Sequence, residues 1–296
     1  MFRYPGAFLL CVFLPLSAPV LADAGRRPRP VATAIGAAAE AIPEAPLKHS
    51  PLSLTAWERD AIGRQIWFNE SRASHAGLTV WNPGEGFPSL GIGHFIWYPV
   101  GHRERFVQSW PAFVEFALRR GARPPAWVLA ATTGCPWRNR DSFYRDFHGA
   151  ELSQLRDWLA GTVSLQTDFI IHRSLLAFDR VRLGAGNDSQ RIERNYMRVA
   201  ATPNGQYALI DYVNFKGEGI SESERYAGEG WGLLQVLDAM PDAEPGQAAV
   251  EAFALAARRM LERRIANSPP ERNEARWREG WHRRLDTYLE PLRLPE

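Results

Sequence analysis

Lysine is nearly missing from this chain. Lys48 and Lys216 are the only two among 35 lysines and arginines. Biased base composition produces such a skew, yet Lys216 persists inside a polar segment, Asn214-Phe215-Lys216-Gly217-Glu218-Gly219. A guanidinium does not replace a compact ammonium where one is needed, so Lys216 is a candidate binding residue. Cysteine is as scarce, with Cys11 and Cys135 alone. Removal of an N-terminal leader would take Cys11 and leave no partner for an internal disulfide. No base is recognisable beside Cys135, so a half-buried, inert thiol is the simpler reading than a nucleophile. Long apolar runs are absent too. Phe8 to Leu16 is too short for the about 20 residues of a membrane span, and no later segment is apolar enough to span one. Net charge is only +2, which argues against nucleic-acid binding through bulk charge.

What is present divides the chain. Residues 1–22 read as a secretory signal: Arg3 near the start, a short apolar stretch, and small residues at Ala22 and Ala24 for cleavage. No small residue immediately precedes Cys11, so a lipoprotein is not expected. Residues 23–50, rich in Ala, Pro and Arg, read as a flexible tether. The folded part is 51–296, and the expected product is soluble and periplasmic or secreted.

Thr55-Ala56-Trp57-Glu58 is a capping box, and Ile62 and Ile66 repeat at helical spacing, which predicts a helix over 56–69. Gly, Pro and Asn alternate with apolar residues from Gly77 to Pro99, predicting a small hairpin or meander. Helices are expected over 111–119, 142–159, 167–181, 189–200, 203–215, 246–266 and 272–289, with Thr202-Pro203 a cap followed by a first-turn proline. The fold class is therefore α+β, mainly helical with one small sheet. The stretch of about 100–183 reads as a helical insert.

The chemistry concentrates in two places. Glu70 ends the first helix, facing Ser89-Leu90-Gly91-Ile92-Gly93-His94. The negative end of a helix dipole and burial by Trp67, Phe68 and the hairpin should raise a carboxyl's pKa, as a general acid requires. Glu85, in Pro-Gly-Glu-Gly, supplies a second carboxylate if the hairpin turns it inward, and is otherwise a solvated turn residue. Ser89 is a third catalytic candidate, or a strand cap. Trp81, Trp97 and Trp231 can stack on a sugar face, although core packing explains most of the eleven tryptophans. Asn214 and Gln235 carry amides suited to an acetamido group, and Asn82 is a further substrate-binding candidate. Glu218 can pair with Lys216. His94, His75, His102 and Glu104 are near in sequence, but their spacing fits no helix-borne zinc pattern, so His94 reads as a structural or substrate-side histidine. No metal or other cofactor is implied.

Glu70, Gly77-Leu78-Thr79-Val80-Trp81-Asn82-Pro83-Gly84 and Ser89-Leu90-Gly91-Ile92-Gly93-His94 together resemble the opening of phage-type lysozymes. Ala208-Leu209-Ile210-Asp211-Tyr212-Val213-Asn214-Phe215 resembles a later helix of that family. Glu70-Ser71 and Gly230-Trp231-Gly232-Leu233-Leu234-Gln235 are similar to elements of lytic transglycosylases, though the second comes much later here than it does in them. The resemblance covers about a third of the chain and is to the lysozyme-like superfamily. It implies cleavage of the glycan strands of peptidoglycan with Glu70 as general acid and base. It implies no nucleic-acid partner and leaves cell-wall protein partners open. Asn82 stands where the phage-type hairpin carries aspartate. A lone glutamate suits a transglycosylase that forms an anhydro sugar, which is slightly favoured over hydrolysis on that ground and on the Leu233-Leu234-Gln235 element. A glycan-binding wall protein without catalysis is the alternative; a cysteine or metal peptidase is a more distant one.

Overall fold

The computed structural model describes residues 51–102, 106–222 and 224–293. The predicted signal and tether lie outside these residues. Among the described residues no helix is long and apolar enough to cross a membrane. The fold is mainly helical α+β, as the pattern predicts.

Helix α1 (Ala56–Ser71) starts at the capping box: Thr55 accepts from the Glu58 amide, and Glu58 accepts from the Thr55 amide. It ends where Arg72 enters the left-handed region. A meander follows, with strands β1 (Thr79–Val80), β2 (Ser89–Leu90) and β3 (Phe95–Ile96) antiparallel in the order β1-β2-β3. Thr79 pairs with Leu90, and Ser89 with Ile96.

Helices α2 (Trp110–Arg119) and α3 (Ala126–Ala130) follow. The single helix expected over 142–159 is two, α4 (Arg140–Arg145) and α5 (Ala150–Gly161). Gly149 breaks it, turning its amide back to the Asp146 carbonyl at 2.7 Å. Then come α6 (Val163–Gly184), α7 (Ser189–Val199) and α8 (Pro203–Lys216), the last capped by Thr202 as expected. A second, unforeseen hairpin pairs β4 (Arg225–Tyr226) with β5 (Glu229–Gly230). The short α9 (Leu233–Ala239), α10 (Gln247–Asn267) and α11 (Arg278–Asp286) complete the order. Two 3-10 turns replace the start of the last predicted helix. Left-handed Asn273 separates them and sends Glu274 inward.

α6 lies at the centre, packing on α1, α2, α7, α8 and α9. The stretch 100–183 is thus helical, but its last member is core rather than an appended lobe. Gly63 permits the α1–α6 contact, because a Cβ there would sit 1.9 Å from Thr167 Oγ1. Gln166, also on α6 and fully buried, accepts from the Ile92 amide at 2.9 Å. That bond fastens the β2–β3 turn, in which Gly91 and His94 both have positive φ, against the core.

Candidate functional site

A cleft of about 420 Å³ opens between the meander and the C-terminal end of α8, and Glu70 lines it. The Glu70 carboxylate is held from three directions. Arg284 Nη2 of α11 donates to Oε1 at 2.8 Å. Asn214 Nδ2 donates to the same oxygen at 3.4 Å, and His94 Nδ1 lies 3.3 Å from Oε2. The side chain is only 9% exposed, so these partners decide its charge.

Burial pushes the Glu70 pKa upward. The charges of Arg284 and His94, the Arg284 hydrogen bond and the nearby Lys216 ammonium outweigh it, leaving the carboxyl below its usual range. This overturns the expectation that helix end and burial leave Glu70 protonated: a guanidinium in contact outweighs both. The resting side chain is a carboxylate. His94 is pushed down, first by burial and then by Arg284, against the raising effect of Glu70. Its Nδ1 faces Glu70, and its buried Nε2 has no hydrogen-bond partner among the described residues.

Arg284 is itself fixed by Asp211, a fully buried residue of α8. Nε and Nη2 of Arg284 donate to the two Asp211 oxygens, each at 2.8 Å. Tyr288 donates to Asp211 at 2.6 Å, and the guanidinium stacks over Phe215 at 4.2 Å. An unpaired buried carboxylate would be costly, so Asp211 and Arg284 require each other. A charged residue within Ala208-Leu209-Ile210-Asp211-Tyr212, all of it buried, signals a hidden partner. The partner was illegible, because Arg284 looks like every other arginine of a basic helix.

The other candidates divide. Glu85 is half-buried, lines the cleft and accepts from Asn82 Nδ2 at 3.2 Å, so the hairpin does turn it inward. Asn82, Ser89, His94, Asn214, Lys216, Glu218 and Trp231 line the same cleft. Glu218 is gripped by Arg180 of α6 through two nitrogens.

Three candidates are elsewhere. Trp81 is core: its indole donates to the Glu85 carbonyl at 2.7 Å and its ring meets Phe143 edge-on. Trp97 packs between Trp110 and Trp127. Gln235 spends its amide on the Gly232 N–H and the Gly219 carbonyl, bracing the 217–232 loop rather than facing a ligand. Both tryptophans lie in the hairpin's buried face, which period-two patterning could not distinguish from its open one. Trp281, which sequence reasoning passed over, does line the cleft.

Cys135 is buried, and burial pushes its thiol up to about 12, so it is a poor nucleophile. Among the described residues no group of three or more His, Cys, Asp or Glu side chains could hold a metal ion. Compared with protein families, with curated proteins and with solved structures, the chain matches none.

Proposed function

We propose that the protein is an exported enzyme that cleaves the β-1,4 glycan strands of peptidoglycan, with Glu70 as the reacting carboxyl. The observation that carries this reading is the pairing of two carboxylates, Glu70 and Glu85, in one cleft with the amides of Asn82 and Asn214 and the hydroxyl of Ser89. Glycoside hydrolysis uses such a pair: one carboxyl protonates the departing oxygen and the other activates water or attacks the sugar. The inward position of Glu85 and the structural employment of Gln235 favour hydrolysis over the anhydro-forming reaction. Glu70 must gain a proton before it donates one, which makes cleavage acid-favoured.

Release of soluble fragments from purified sacculi tests the reading. Wild type should release them, whereas Glu70→Gln and Glu85→Gln should fall by about 10²-fold or more, the usual scale of a lost acid or base. Full activity in Glu70→Gln would contradict it. One observation favours a second reading, a glycan-binding protein without turnover. The Arg284 contact keeps Glu70 anionic, a good acceptor for sugar hydroxyls but a poor acid. Sedimentation with sacculi and no release by wild type at any pH would support that reading.

A further inference from the structure

The two oxygens of the Glu70 carboxylate are not equivalent. Oε1 carries the contacts to Arg284 Nη2 and Asn214 Nδ2. Oε2 faces the ring of His94, whose Nδ1 is 3.3 Å away. Neither partner of Oε1 can supply a proton, because a guanidinium stays charged in proteins and an amide does not titrate. Histidine is the side chain that exchanges a proton between about pH 5 and 8. The ring is held there by its own backbone. His94 has a φ of 50° and closes a turn onto the Gly91 carbonyl, which Gln166 of α6 fastens through the Ile92 amide. Such a conformation is uncommon outside glycine, and where it borders reacting groups it points to a functional constraint.

The pair is secluded, with the side chains of Glu70 and His94 only 9% and 14% exposed. Arg284 of α11 acts on both groups and Lys216 of α8 on Glu70, while Arg173 and Arg180 of α6, Glu85 of the meander and Glu218 line the same cleft. Asp211 lies behind Arg284. His94 Nε2 is buried and bonds to no described residue. An imidazolium here would hold one N–H without an acceptor, beside the Arg284 charge, so its extra proton is readily given up. Oε2 is the nearest acceptor for it.

Resting on the glycan reading above, we infer that His94 and Glu70 form a proton-sharing pair, in which His94 is a positioning residue that places a proton on Glu70 Oε2 for delivery to the glycosidic oxygen. The N–H bond at Nδ1 of the imidazolium breaks as the Oε2–H bond forms, leaving a neutral imidazole and a neutral carboxyl. The Oε2–H bond then breaks with the sugar C–O bond. The bonding pair and the proton end on the departing hydroxyl, and the carboxylate is restored. The acid is therefore the singly protonated pair, and its titration belongs to both groups together.

Two measurements on the full-length protein test the pair. The first needs no substrate. The imidazole resonances of His94 are followed through a pH titration by nuclear magnetic resonance in wild type and Glu70→Gln, and assigned by their loss in His94→Asn. His94 should protonate at lower pH in Glu70→Gln, because the anion that favours its charged form is gone. The second is the release of soluble fragments from sacculi as a function of pH. Asparagine tolerates positive φ, so His94→Asn keeps the turn but carries no proton. It should lose about 10²-fold near neutral pH, the scale of a lost proton donor, and progressively less as pH falls and Glu70 takes its proton from water. Loss by one factor at every pH would leave His94 a structural role and overturn the relay. Equal His94 titrations in wild type and Glu70→Gln would overturn the pair, and that comparison stands if His94→Asn fails to fold, with the resonance then assigned through its neighbours. Unequal titrations with no release by wild type at any pH would keep the pair and overturn the relay together with the glycan reading.

Discussion

At the residue scale the cleft is governed by one arginine. Arg284 is shared between the carboxylates of Glu70 and Asp211, and its side chain is 3% exposed. Removing one partner of a buried ion pair costs about 3–5 kcal/mol, because the other is left charged in a dry site. Arg284→Met should therefore destabilise the protein by about that amount in urea titrations, and the survivors should carry a less acidic Glu70. The pH dependence follows from the sign of the shift. The Glu70 pKa is lower in the folded than in the unfolded chain, so its stabilising contribution is complete above the ordinary carboxylate range. It is lost as pH falls through the depressed folded value. Melting temperatures of wild type and Glu70→Gln measured from pH 7 downward should converge below about pH 4. A gap that stays constant with pH would show that Glu70 is not held as an anion.

At the element scale, the meander and its turn are set by what α6 presents to them. Gln166 receives the Ile92 amide, and Thr167, the next residue, receives α1 through Gly63. Gly63→Val should cost about 1–3 kcal/mol, as overpacking does. Thr167→Ala in the same chain should recover part of that loss in a double-mutant cycle; strict additivity would mean the helices do not meet there. The capping box at Thr55 is worth about 1 kcal/mol, which Thr55→Ala in a thermal melt should reveal. These elements also show what the sequence made legible. The α1 start, the α8 start and the meander follow from capping and turn chemistry that acts within a few residues. The break at Gly149 is a bond to Asp146 three residues back, and the second hairpin closes through Ala227 and Gly228, both at positive φ; these signals are local but faint beside the helical periodicity around them. Glu70, Glu85, Asn82 and Asn214 could be singled out because a polar residue beside apolar ones is visible in one line of text. Arg284, Asp211 and Trp281 could not be joined to them, since their meaning comes from contacts across the chain.

At the scale of the whole molecule, the cleft is assembled from distant parts: Glu70 in the first helix, Glu85 in the meander, Lys216 at the end of α8 and Arg284 in the last helix. Their convergence depends on α10 and α11 packing together, with the Arg264–Glu274 pair buried beneath. A chain ending at Trp277 loses Trp281, Arg284 and Tyr288 at once. It should lose cooperative unfolding rather than merely activity, as followed by near-ultraviolet circular dichroism. The chemistry proposed at Glu70 is tested by mass spectrometry of the products from purified peptidoglycan. We expect reducing-end muropeptides from wild type, increasing as pH is lowered from neutral, and none above background from Glu70→Gln. Equal product from both proteins would contradict the role of Glu70, and anhydro-muropeptides from wild type would keep Glu70 but remove Glu85 from the reaction.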